Sequence, residues 1–136
     1  MTISKTVLWS RALALVAIVF GALTLKEGGD VLFGGDAARA AAGNYVPFVL
    51  WFNFLAGCAY VAAGVGLWLR RRWAWLMAAA IFIATLVVFA TLAAHIFLGG
   101  SYEARTLVAM SLRTIVWGVI AWFAHQVLNK PTGKGK

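Results

Sequence analysis

Four apolar runs, each long enough to cross a bilayer, leave this chain few folds to choose from. They are Val7 to Leu25, Val46 to Leu69, Trp73 to Leu98 and Leu107 to Leu128. A hydrocarbon core of roughly 30 Å takes about 20 apolar residues in helical form, and lipid offers backbone amides and carbonyls no partners, so such runs become helices. A composition of 63% hydrophobic and 12% charged residues is too apolar for a domain with a wetted surface. The expected fold is therefore an all-α membrane protein: four transmembrane helices in an up-down-up-down antiparallel bundle, with a short interfacial helix in the first outer loop. One domain spans residues 1–136, its last stretch, 129–136, a flexible basic tail. Arg11 interrupts the start of the first run, and Thr24-Leu25-Lys26-Glu27 lacks the small residues of a cleavage site, so that run reads as a retained span and not a signal peptide.

Basic residues set the orientation, because Lys and Arg beside a span are retained on the cytoplasmic side. Lys5, Arg70, Arg71, Arg72, Lys130, Lys134 and Lys136 lie on one side; Lys26, Arg39 and Arg105 lie on the other. Both termini are expected in the cytoplasm. All the acidic residues, Glu27, Asp30, Asp36 and Glu103, then fall on the outer side. Trp9, Trp68, Trp73, Trp75 and Trp122 mark the inner ends and Tyr45, Trp51 and Tyr102 the outer ends, as interfacial aromatic belts do. A net charge of +8 is explained by this topology and by anionic inner-leaflet lipids, with no nucleic acid as partner.

Small residues let helices approach closely in lipid. In the second run Cys58, Ala62 and Gly66 form such a stripe, widened by Gly57 and Gly64; in the third, Ala80, Ala84, Ala90 and Ala94 do the same. These stripes are expected to face other helices or a second copy of the chain. Between the first two spans, Glu27 to Asp36 reads as a glycine-rich loop at the interface. Asp36 is placed to cap a short helix over Ala37–Ala42 that stops at Gly43 or Asn44.

Depth gives the candidate site. Asn53 lies seven residues into the second span and Arg113 six residues into the fourth, both roughly 10 Å below the outer boundary at ~1.5 Å per residue. His95 lies near the outer end of the third span and Glu27 closes that of the first. Polar groups at membrane depth turn inward or toward a water-filled cavity. Converging, Glu27, Asn53, His95 and Arg113 would offer a carboxylate, an amide, an imidazole and a fixed cation, suited to a small polar or anionic ligand or to a quinone head group. In the alternative, Arg113 snorkels or pairs with Glu27 or Glu103, His95 is interfacial, and Asn53 bonds a neighbouring helix.

Residue inventory removes sharper chemistries. Cys58 is the one cysteine, which leaves no thiol pair for disulfide exchange within the chain. His95 and His125 lie at opposite ends of their spans, too far apart to share a haem. A metal at the outer face would recruit His95, Glu103, Glu27 and Asp30, which have no fixed ligand spacing. The glycine pairs lack the strand and helix context of a phosphate loop or nucleophile elbow.

Arg11 near the start of the first span, Gly21 within it, Lys26 at its outer end, and the glycine-rich stretch from Leu55-Ala56-Gly57 through Gly64-Val65-Gly66-Leu67 before a basic turn resemble the DoxX-like family. The resemblance implies a small subunit of the bacterial inner membrane, in some relatives linked to thiosulfate or quinone oxidation and in others accessory to a redox or maturation complex. It assigns no catalytic residue here. Three readings follow: a non-catalytic subunit or assembly factor, alone or in a larger complex; a quinone-linked redox component; and a small transporter of an ion or metabolite, which deep acids or an inverted repeat would have favoured.

Overall fold

A computed structural model describes residues 4–129, and within them the chain is helical with no strand. The basic tail expected over 129–136 lies, apart from Asn129, outside the described residues. Five helices follow in order: α1 (Lys5–Phe33), α2 (Asp36–Ala42), α3 (Pro47–Trp68), α4 (Trp73–Phe97) and α5 (Ala104–Leu128). All except α2 are long and apolar enough to cross a membrane. The protein is an integral, multi-pass membrane protein built as a four-helix bundle, with α2 in the connection between its first two spans.

Its surface shows the solvent. Ile83 and Val87 on α4 are each 60% exposed and Ile115 on α5 is 65% exposed, while Tyr60, Trp117 and Ile120 are completely enclosed. Large aliphatic side chains outside and packed aromatics inside are what a bundle bathed in acyl chains requires.

The tightest contact is between α1 and α3. A Cβ added at Gly21 of α1 would come within 2.9 Å of the Gly57 carbonyl oxygen, and one at Gly64 within 3.0 Å of the Ala14 carbonyl oxygen. The backbones nearly touch, which glycine alone permits. Ser10 fastens the other end of the pair, its hydroxyl donating to the Leu67 carbonyl at 3.0 Å. On α3 the stripe that meets α1 is therefore Gly57 and Gly64. Gly66 packs against Trp73 and Ala74, whereas Cys58 is exposed. The α4 stripe also differs from expectation: Ala74, Ala78, Ile81 and Thr85 face the core, while Ala80, Ala90 and Ala94 are exposed and Ala84 half-buried. Four-residue spacing of small side chains was common to several faces, and bulky partners decided which of them turned inward.

Two short turns carry the chain between α3 and α4 and between α4 and α5, and both end their helices the same way. The Arg71 amide donates to the Gly66 carbonyl at 2.8 Å and the Gly100 amide to the His95 carbonyl at 2.9 Å, with left-handed residues at Arg70 (φ 53) and Gly99 (φ 87). This is the Schellman ending, in which the backbone reverses by satisfying helix-terminal carbonyls.

α1 is longer than its apolar run. It continues about two turns past Leu25 to Phe33, so Gly28 and Gly29, expected in a loop, are helical. The Lys26–Asp30 pair at 3.0 Å spans one turn of this extension, and Gly28 lies against Phe54 of α3, where a Cβ would sit only 3.2 Å from the Phe54 Cβ. Nor does Asp36 cap α2: it is the first helical residue, Gly35 (φ 91) holds the cap position, and no side chain bonds there. Gly43, at φ 68, supplies the stop.

Candidate functional site: a chamber between α1 and α5

Where α1 and α3 lock together, α1 and α5 meet only lightly. At the α2 end this seam opens into a cavity of about 600 Å³, within the ~300–1,000 Å³ typical of small-molecule sites. Thr24, Glu27 and Gly28 of α1 form one wall, Thr106, Ala109 and Arg113 of α5 the other, and Leu50 and Asn53 of α3 the back. Ala38, Ala41 and Ala42 of α2 lie across it, and Asp30, Glu103 and Arg105 also reach its edge.

The roof is fixed by charged side chains that bond to backbone. Arg39 donates through Nε to the Val31 carbonyl and through Nη2 to the Leu32 carbonyl, each at 3.3 Å. Arg105 donates to the carbonyls of Ala41 at 3.0 Å and Ala42 at 3.4 Å. Glu103 accepts from the Asn44 amide at 2.8 Å, and its carboxylate fills the space a Cβ at Gly43 would need. The carbonyls at the ends of α1 and α2, left over where a helix stops, thus receive guanidinium donors, from nearby Arg39 in one case and from Arg105, far along the chain, in the other.

Arg113 is the exceptional group. It is 7% exposed, forms no ion pair or hydrogen bond among the described residues, and leaves its Nε without a partner. Its guanidinium carbon lies 5.7 Å from the Phe20 ring centroid, a cation–π contact that offsets part of its desolvation. Asn53, on the same cavity, has an unpartnered Oδ1. Below them, Tyr60 stacks with Phe20 at 5.8 Å and packs on Trp117 at 4.7 Å. The Tyr60 hydroxyl and the Trp117 indole nitrogen are buried without partners as well. An orphaned buried donor or acceptor costs about 1–3 kcal/mol, and four of them converge on the core under one chamber.

Of the residues chosen for depth, Glu27, Asn53 and Arg113 line this chamber and His95 does not. His95 lies on α4, which contributes nothing to the walls. Its Nε2 bonds the Ser101 carbonyl at 3.0 Å, its ring covers Gly100, and Phe48 meets it edge-on at 6.0 Å. The imidazole closes the α4–α5 turn. No cluster of three His, Cys, Asp or Glu side chains among the described residues is disposed to share a metal ion. Tyr60 and Trp117 were missed, although the signal was present: Asn53 and Tyr60 are two helical turns apart, Arg113 and Trp117 one, so each pair shares a face.

No protein-family model, curated protein or solved structure matches the chain.

Proposed function

We propose that this chain is a non-catalytic, ligand-binding subunit of the bacterial inner membrane, holding a small polar or anionic molecule in the outer-leaflet half. The orientation rests on the basic residues around Lys5 and Arg70–Arg72, which favour the cytoplasm. The ligand reading rests on one observation: Arg113 is a buried guanidinium with no counter-charge, facing a chamber large enough for a guest. An unpaired cation at membrane depth costs about 2.5–3.5 kcal/mol on insertion scales, and a bound anion would recover that cost. Among the described residues no lining hydroxyl is hydrogen-bonded to a base and no metal cluster is present, so binding accounts for the chamber better than catalysis does. An accessory role in a larger membrane complex, in keeping with the DoxX-like resemblance, suits a protein whose loops are short.

Quinone binding is the second reading, favoured by the unpartnered Tyr60 hydroxyl and Trp117 indole beneath the floor and by a lateral seam through which an apolar tail can leave. It proceeds without His95.

The test compares wild type with Arg113→Met in lipid nanodiscs. Short alkanoates should raise the unfolding temperature of the wild type and leave that of the variant unchanged, while the empty variant, relieved of a buried charge, should be the more stable of the two. Equal responses to alkanoate would refute an anion site at Arg113, and quinone copurifying with wild type but not with the variant would select the second reading.

A further inference from the structure

The charges at the α2 end are nearly all engaged. Lys26 is paired with Asp30 at 3.0 Å. Asp36 lies 4.0 Å from Arg39, and Arg39 itself holds the end of α1. Glu103 holds the Asn44 amide and Arg105 the end of α2. Among the described residues, two groups at this end are engaged by neither ion pair nor hydrogen bond: the carboxylate of Glu27 and the guanidinium of Arg113. They are opposite in sign, and both line the same chamber.

The two are held on different helices, Glu27 exposed at the mouth and Arg113 buried in the α5 wall. Apart from Arg113 itself, the basic side chains at this end, Lys26, Arg39 and Arg105, are bound elsewhere. We propose that the chamber binds a zwitterion: a small molecule whose carboxylate meets the Arg113 guanidinium, with Asn53 beside it, and whose ammonium meets the Glu27 carboxylate. The inference rests on the ligand-binding reading above and adds the second charge. A guest of this kind neutralises both free charges at once, whereas a simple anion leaves Glu27 facing the mouth as a repelling group.

Full-length protein in nanodiscs, titrated with ω-amino acids from glycine to aminocaproate and with the alkanoate and alkylamine of equal length, tests it. For the best-fitting length, the amino acid should bind the wild type about ten-fold more tightly than the alkanoate, the typical worth of one charge-assisted contact. Glu27→Gln, at an exposed position where folding is not at stake, should erase that preference and leave alkanoate binding intact or improved. If wild type binds alkanoate and amino acid equally, or if Glu27→Gln keeps the preference, the zwitterion is refuted while the Arg113 site stands. If neither probe binds at any length, both are refuted.

Discussion

Gly21→Ala is the most exacting test of the packing. A methyl group at this position would lie 2.8 Å from Val61 Cγ2, 2.9 Å from the Gly57 carbonyl oxygen and 2.9 Å from the Tyr60 Cβ. Ordinary contacts for such atoms begin near 3.4 Å, so α1 and α3 must separate by roughly 0.5–1 Å, and two of the three obstacles are backbone or Cβ atoms that no rotamer change moves. Overpacking of this kind costs about 1–3 kcal/mol, against a helix-propensity gain for alanine over glycine of about 1 kcal/mol. The net expectation is a loss of up to ~2 kcal/mol. Gly29→Ala is the internal control, because a Cβ there meets only Phe54 Cε2 at 3.6 Å; it should be neutral or gain up to ~1 kcal/mol. The readout is reversible unfolding in mixed micelles followed by circular dichroism, with midpoints displaced in opposite directions. Two variants of equal stability would show that α1 and α3 do not approach as closely as described.

His95→Ala should cost about 1 kcal/mol through the lost bond to the Ser101 carbonyl and leave ligand binding unchanged in nanodisc titrations; lost binding would return His95 to the site. Ser10→Ala should cost ~0.6 kcal/mol, the average for an interhelical hydrogen bond in a membrane bundle, as seen in the same unfolding assay. In a Cys58→Ser background, cysteines introduced at Asp36 and Arg105 should react with an impermeant maleimide from the periplasmic side, and one at Arg71 from the cytoplasmic side only; the reverse pattern would invert the proposed orientation.

The spans were legible because lipid removes alternatives: a run of about 20 apolar residues has one way to satisfy its backbone. Where α1 ended was not, since hydropathy stops at Leu25 while the helix is continued by the Lys26–Asp30 pair and by Gly28 against Phe54, contacts that involve charged and small residues. Packing faces were legible only in kind. Cys58, Ala62 and Gly66 obey the same spacing rule as Gly57 and Gly64, and only the bulk of Ile18 and Leu25 on the facing surface of α1 singles out the latter two. At the chamber, counting residues from the span ends brought Asn53 and Arg113 to one level because depth is a one-dimensional quantity that sequence contains. It could not exclude His95, whose direction around its helix is set by the turn it closes. That Glu27 lacks a partner depends on Lys26, Arg39 and Arg105 finding theirs, which is a property of the assembled loops and of no local pattern.

The locked pairing of α1 with α3 has a consequence for how the molecule comes into being. Every glycine, methyl and hydroxyl that joins those two segments is present once the first half of the chain has been threaded into lipid, so that half can close on itself without waiting. Arg113 has no such early berth, because Phe20 and the chamber walls face it only after the second hairpin docks. The chamber is thus completed only when that hairpin docks, and under the ligand-binding proposal a guest present at that moment would favour the docking step itself.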